Sequence, residues 1–519
     1  MERQPGGKAF DRSEWLVCVL LFVLTAISRL PFRSHILYSW DSVNYAFGMR
    51  HFDVLTEQPQ PPGYIVYVWL ARLVDALAHD ANAAMVLISI VAGALAAVAL
   101  YLLGRLLFGR AAALAAAVLL STSPLFWFYG DIALPHTLDA ALILIALWLL
   151  YRTRRGEPDM IWPAAVVLAL AGGVRPQTLV FLAPVTAFAV WRAGWWRLLG
   201  AVLVGATLCL GWVLPLIGSA GGLRPYLHKL STYSARFEVD TSLLRGAGLA
   251  GLQHNVGKLL TYTLFACAAA LLPLLVYAAL RASRHRCADL EGPPPVPGRS
   301  LFLVLWAAPP LLYYTIVQMG QQGMILIFLP IAFLLAGAAA ARLATGRRFW
   351  LALACLGVLN AGVFILLPAQ PPGLRGQHLP VSQTIRDNDR YYSLRFADIR
   401  SRFTAQSTAV VADNWRHVEY YLPGYELLRL GAENDAVGAG RPRGWPGDGL
   451  LTTSGLGLDT GSGPPTLVLF DGDDSALFDG LAGVDTVSWP GAGSMRLYRW
   501  PPRTALLYSG DLLEAVPDP

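Results

Sequence analysis

The sequence predicts an all-α polytopic membrane protein with a small α/β domain at its C-terminal end. Three observations carry this. Of 519 residues, 55% are hydrophobic and only 14% are charged, against roughly a quarter charged in ordinary soluble domains. Apolar runs of about 18–25 residues, the length that crosses a bilayer's hydrocarbon core, recur as far as residue 368. From Ala369 onward they stop, and short strand-like segments replace them.

Taken in order, the apolar runs predict about eleven transmembrane helices, at 14–30, 83–107, 111–128, 132–151, 160–174, 176–192, 196–218, 258–281, 300–317, 322–341 and 348–368. The basic start and the run Trp15 to Ile27, with no small-residue cleavage site after it, read as an uncleaved first helix. Arg175-Pro176 alone parts the fifth span from the sixth. Gly63 to Leu77 is apolar but short and carries Arg72 and Asp75, which suits a helix on the membrane surface. Arginines cluster in alternate loops: Arg105 and Arg110, then Arg152, Arg154 and Arg155, then Arg192 and Arg197, then Arg281, Arg284, Arg286 and Arg299, then Arg342, Arg347 and Arg348. These fall on the same side as Arg3, Lys8 and Arg12, and the positive-inside rule makes that side cytoplasmic. The net charge of +6 is thus used for orientation and gives no argument for nucleic acid. An odd helix number places the tail outside, in the inner (plasma) membrane's extracytoplasmic space.

Two domains follow: 1–368, a membrane domain with a first outer loop at 31–82, and 369–519, an extracytoplasmic α/β domain. In the tail, Thr384 to Phe403 reads as a helix. Thr408 to Ala412, Glu426 to Leu430, Thr466 to Leu469 and Ser494 to Tyr498 read as strands, and Gly438 to Gly463 as a Gly-rich loop. All five cysteines, Cys18, Cys209, Cys267, Cys287 and Cys355, lie in or beside apolar runs. That pattern indicates neither a disulfide framework nor a cysteine metal site.

Residues suited to chemistry gather on the outer side. Asp41 sits among aromatics in Trp40-Asp41-Ser42-Val43-Asn44-Tyr45; it suits both a helix N-cap and a catalytic carboxylate. Gln58-Pro59-Gln60-Pro61-Pro62-Gly63-Tyr64 is a rigid turn, and Tyr45 and Tyr64 are candidate substrate contacts. Asp131 and Asp139 stand at the mouth of the fourth helix, about 12 Å apart along the axis at about 1.5 Å per residue. Asp139 is too deep to be indifferent and faces a cavity or a partner; His136, three residues earlier, shares its face. Asp131 suits a cap as well as a substrate contact. Arg175 beside a helix start suits an anionic phosphate, and also snorkelling. In the 219–257 loop, Lys229 and Arg236 interleave with Tyr226 and Tyr233 outside the membrane, against the positive-inside bias, which suggests an anionic ligand.

These pieces, in this order, resemble the GT-C superfamily of polyprenyl-phosphate-dependent glycosyltransferases, closest to bacterial relatives of protein O-mannosyltransferases and aminoarabinose transferases. The likeness covers about 14–340. It rests on Asp41, Pro61-Pro62-Gly63-Tyr64, Leu103-Gly104-Arg105-Leu106-Leu107-Phe108-Gly109-Arg110, Ser123-Pro124-Leu125-Phe126, Asp139 and Gly172-Gly173-Val174-Arg175-Pro176. The resemblance implies an inverting transfer of a sugar from a polyprenyl-phosphate donor to a protein, lipid or glycan acceptor. Asp41 would be the base and Arg175 the holder of the lipid phosphate; Asp139, by its own depth and position, is the second catalytic candidate. Gln60 replaces a His common in relatives, Ser42 an acidic residue, and Gln322-Gly323-Met324 a basic-plus-Tyr entry. No cofactor is implied, and no acidic cluster in the loop calls for a divalent cation. The competing expectation is a transporter or flippase, which predicts broken helices in repeated halves; no internal repeat is present.

Overall fold

In the computed structural model, which describes residues 12–283, 298–371, 378–429, 450–453, 455–459, 464–472, 483–509 and 512–517, every stretch read as a span is helical over nearly its whole length. The helices are α1 (Arg12–Arg29), α2 (Trp40–Arg50), α3 (Ile65–Ala78), α4 (Ala81–Phe108), α5 (Arg110–Thr122), α6 (Pro124–Gly130), α7 (His136–Arg154), α8 (Ile161–Val174), α9 (Gln177–Val190), α10 (Trp195–Ser219), α11 (Leu223–Glu238), α12 (Gly248–Cys267), α13 (Leu271–Ala282), α14 (Arg299–Ile316), α15 (Leu329–Leu343), α16 (Gly346–Leu366), α17 (Ser382–Arg402) and α18 (Trp415–Tyr421). Among the described residues, five helical stretches are long and apolar enough to cross a membrane: α4, α7, α10, the α12–α13 run and α16. The pair α5 and α6, bent by 61°, makes a sixth as one broken span. The eleven expected spans are therefore eleven helical stretches, of which five or six meet that test of length and composition.

The chain divides into two compact units: Met1–Ser34 with Gly48–Ile385, and His35–Phe47 with Arg386–Pro519. In the first unit α4 is the central helix, and its small residues Ala92, Ala94, Ala96 and Ala97 are all buried. Small residues let helix backbones approach closely where lipid removes any hydrophobic drive between helices. Gly337 of α15 shows the tolerance: a Cβ there would stand 2.3 Å from the Ala112 carbonyl oxygen of α5. Amide side chains tie helices across the interior. Asn360 of α16 accepts from Ala269 N–H at 2.9 Å and donates to Thr122 Oγ1 at 3.3 Å. Asn255 of α12 donates to the Thr241 and Thr315 carbonyls and accepts from Met319 N–H.

The second unit carries β1 (Thr408–Ala412), β2 (Glu426–Arg429), β3 (Leu450–Leu451), β4 (Thr466–Leu469), β5 (Gly483–Trp489), β6 (Gly493–Arg499), β7 (Thr504–Ser509) and β8 (Leu512–Pro517). One sheet runs β2-β1-β4-β6-β5, parallel from β2 to β4 and antiparallel beyond; the other is β3-β7-β8. β1 is buried at all five positions, which explains its unbroken run Thr-Ala-Val-Val-Ala: a strand covered on both faces has no polar side to alternate with. Val410 and Ala412 face Tyr392, Phe396 and Ile399 of α17 together with Trp415 and Val418 of α18. Arg395 of α17 is buried and donates to the carbonyls of Phe470, Tyr391, Ala492 and Ser494. Of the expected Gly438–Gly463 loop, residues 438–449, 454 and 460–463 lie outside the described residues, and Leu450–Leu451 form β3.

Candidate active site

The residues singled out in the sequence lie in both units. In the first unit α8 ends at Val174, because Pro176 disfavours helical backbone at the residue before it. Arg175 is accordingly extended (φ −150°, ψ 99°), and α9 begins at Gln177. Thr178 N–H bonds the Arg175 carbonyl at 2.9 Å, fixing the turn. The guanidinium then reaches the first turn of α7: Arg175 Nη1 lies 3.6 Å from Asp139 Oδ2, and Nη2 lies 3.4 Å from His136 Nε2. Thr178 Oγ1 donates to Asp139 Oδ1 at 2.9 Å. All four side chains are buried; Arg175 is only 4% exposed, so it does not snorkel. The His136 ring packs on Tyr129 at 4.7 Å. Gly323 closes over both rings, since a Cβ there would meet His136 Cδ2 at 2.4 Å and Tyr129 Cε1 at 2.6 Å. Sequence reading noted Gly323 only as a departure; its place in a Gly-rich turn was the available signal.

Asp41 lies in the second unit, half-buried in the first turn of α2. The capping there belongs to serines. Ser42 N–H donates to Ser39 Oγ at 3.2 Å, Ser39 N–H donates to Ser42 Oγ at 3.3 Å, and the two hydroxyls lie 3.1 Å apart. This is the reciprocal arrangement of a capping box with Ser42 in the place of the usual Glu. The N-cap role expected as one option for Asp41 is thus filled by Ser39. Upstream, Asp389 accepts from His35 N–H (2.7 Å) and Ile36 N–H (3.2 Å), Tyr421 Oη accepts from Leu37 N–H (2.9 Å), and His417 Nε2 donates to the Leu37 carbonyl (2.9 Å). Trp40 packs edge-on against Trp415 at 4.9 Å, and Tyr45 is buried. Burial lowers His417 to about 4, against a smaller opposing effect of the Leu37 carbonyl, and raises the Tyr38 phenol to about 12.

Residues 59–218 match the family model described as dolichyl-phosphate-mannose-protein mannosyltransferase. No curated protein matches the chain in sequence. Among solved structures, ArnT from Cupriavidus metallidurans bound to undecaprenyl phosphate aligns with a TM-score of 0.54 at 14% identity, over 94% of this chain and 98% of that one. Its apo state gives 0.53 at 13% identity, over 93% and 98%. The Archaeoglobus fulgidus oligosaccharyltransferase in its apo form gives 0.46 at 13%, over 81% and 65%. This chain has the GT-C fold.

Within that GT-C fold, the segment matched by the family model contains Tyr64, Asp131, His136, Asp139 and Arg175, while Asp41, Lys229 and Arg236 lie outside it. Lys229 and Arg236 are brought together, and with a carboxylate that sequence reading missed. Lys229 Nζ lies 2.8 Å and Arg236 Nη1 3.0 Å from Glu57 Oε1, and Tyr226 Oη donates to the Pro62 carbonyl at 3.0 Å. The expected 219–257 loop is largely helical, as α11 and the start of α12. Tyr226, Lys229, Tyr233 and Arg236, spaced by three, four and three, share one of its faces, a signal present in the sequence. Glu57 and Tyr64 both adopt positive φ, at 61° and 44°, and Gly63 between them (φ 109°) leaves no room for a Cβ beside Leu216. The Gln60 amide is 2% exposed, and among the described residues neither its nitrogen nor its oxygen has a hydrogen-bond partner. Asp131 is fully buried; its backbone carbonyl accepts from Ser34 N–H, and among the described residues neither carboxylate oxygen has a hydrogen-bond partner. Arg29, also buried, donates to the Ser121 carbonyl and lies over Trp127.

Proposed function

We propose that this chain is a membrane glycosyltransferase that moves a sugar from a polyprenyl-phosphate donor to an acceptor at the outer face of the inner membrane. The observation that carries the reading is the buried Arg175 fork, held by Asp139 and flanked by His136 in a GT-C fold. A planar guanidinium fixed beside a helix start is the arrangement that binds a phosphate's oxygens bidentately. The undecaprenyl phosphate bound to the structurally similar ArnT supports the same class of ligand. In this reading Arg175 holds the lipid phosphate and stabilises the charge it gathers as the glycosidic bond breaks. Asp139 and Thr178 fix Arg175 in place, and His136 lines its other side. Asp41 is the base. It takes the proton from the acceptor hydroxyl or amine as that atom bonds the anomeric carbon, and the bond from carbon to phosphate oxygen breaks with its electrons going to the polyprenyl phosphate. The sugar inverts, and Asp41 later returns the proton to water. A positioned base contributes about 10²–10⁴-fold. The domain division at 368/369, the cytoplasmic N-terminus, the extracytoplasmic tail and about eleven spans belong to the same proposal. Tyr45, Tyr64, Asp131, Lys229 and Arg236 are proposed to line or support the substrate path.

The test is transfer of radiolabel from polyprenyl-phosphate mannose and polyprenyl-phosphate aminoarabinose in membranes carrying wild type, Asp41→Asn or Arg175→Ala. Wild-type transfer that Asp41→Asn abolishes at equal protein level is the expected result. Undiminished transfer by Asp41→Asn removes it as the base. No transfer from either donor, with lipid-linked substrate crossing the bilayer instead, favours a flippase.

A further inference from the structure

We infer that Asp389, His417 and Tyr421 of the second unit are positioning residues for Asp41; the inference rests on the proposed base role of Asp41. The backbone of His35, Ile36 and Leu37 leads directly into the Ser39 cap of α2. Three of its N–H groups and one carbonyl are bonded by side chains more than 350 residues away in sequence. Asp389 gathers two of those N–H groups on one carboxylate, and Leu37 is held on both its N–H and its carbonyl. His417 is itself fixed, its ring stacked on Tyr392 at 4.2 Å and 10°. With Nε2–H donating to Leu37, the tautomer is set.

Such an arrangement does more than fold a loop. Four directional bonds within three residues leave the chain little freedom before the cap, and the cap fixes the start of the helix two residues before Asp41. A base must sit within hydrogen-bond reach of the proton it takes, and a shift of about 1 Å in a reacting group costs on the order of 10²-fold in rate. The clamp is therefore read out in turnover. Donor capture through Arg175 uses none of these residues.

Full-length protein in proteoliposomes tests this, with His417→Leu, His417→Gln, Asp389→Ala and Asp41→Asn assayed for transfer from the polyprenyl-phosphate donor that wild type uses. His417→Leu and Asp389→Ala are expected to lower kcat at least tenfold with donor KM within about twofold. His417→Gln, whose amide N–H still donates to Leu37, is expected to recover at least a third of the wild-type rate. Hydrogen exchange of the peptide 35–47 should accelerate in His417→Leu and Asp389→Ala and stay near wild type in His417→Gln, a readout independent of catalysis. Wild-type kcat in both clamp variants while Asp41→Asn is inactive overturns the inference and leaves the base standing. A glutamine variant as slow as the leucine one, with exchange unchanged in all, overturns it as well. Undiminished transfer by Asp41→Asn overturns the base and the inference together.

Discussion

Replacing Asp139 by Asn should destabilise the protein while tightening its hold on lipid phosphate. The carboxylate lies 3.6 Å from Arg175 Nη1 with both side chains 5% exposed. At an effective dielectric of about 20, a unit-charge pair at that distance is worth about 4–5 kcal/mol. Removing one member of a buried pair costs about 3–5 kcal/mol, because the other charge is left uncompensated. Asparagine keeps an oxygen for the Thr178 hydroxyl, now bonded at 2.9 Å, so a loss of about 3 kcal/mol is expected. Asp139→Asn/Arg175→Met, which removes both charges, should recover at least half of that. A bound phosphate would replace the missing counter-charge. Undecaprenyl phosphate should therefore bind Asp139→Asn more tightly than wild type, and at about 100 times its Kd it returns about 2.7 kcal/mol. Denaturation in detergent with and without undecaprenyl phosphate, on wild type and both variants, measures every term. If Asp139→Asn is as stable as wild type, or undecaprenyl phosphate binds it more weakly, the pair does not hold Arg175 for phosphate and the argument fails.

Gly323→Ala should be destabilised by about 1–3 kcal/mol through overpacking and lose transfer activity, since its methyl group must displace the His136 or Tyr129 ring; melting and transfer rate are both read. Gln60→Leu should gain about 1 kcal/mol, because it removes a buried amide with no hydrogen-bond partner among the described residues, a group that costs about 1–3 kcal/mol. If that amide serves the substrate, activity falls as stability rises; equal activity assigns Gln60 no role. His417 gives a pH signature. Its pKa is about 4 folded and about 6.5 unfolded, so the folded state favours the neutral ring. Stability from this group is complete above pH 6.5 and is lost as pH falls from 6.5 to about 4, by about 3 kcal/mol in all at about 1.36 kcal/mol per unit. His417→Gln should flatten the denaturation profile over that window.

The apolar helices were legible because lipid demands length and composition together, and α4, α10 and α16 satisfy both. The strands β1 and β4 were legible for a related reason, being buried runs of branched and small residues. β5 was not: most of its residues are exposed, so its alternation carries no core signal. α18 begins at Trp415 with Arg416 and His417 buried, polar residues that sequence alone assigns to a surface. α12 starts ten residues before the apolar run that predicted it, because Asn255 is buried by bonds to Thr241, Thr315 and Met319 rather than by apolarity. At the candidate site, the one-turn proximity of His136 and Asp139 was readable from spacing. The meeting of Asp139 with Arg175 and of Glu57 with Lys229 and Arg236 was not, since each depends on helix packing across long separations. Asp41 could be read as cap or base, and only the Ser39–Ser42 pair decides who caps.

The bonds on Leu37 also set a clock on synthesis. Tyr421 follows Leu37 by 384 residues, and a ribosome adding about 5–20 residues per second needs roughly 20–80 s to make them. Throughout that interval the nascent chain has residues 35–37 made and their partner residues not yet translated. A polypeptide that stalls or is cut before residue 421 lacks the Tyr421 hydroxyl that holds Leu37, so under the proposed base role of Asp41 a partial product is expected to be inactive.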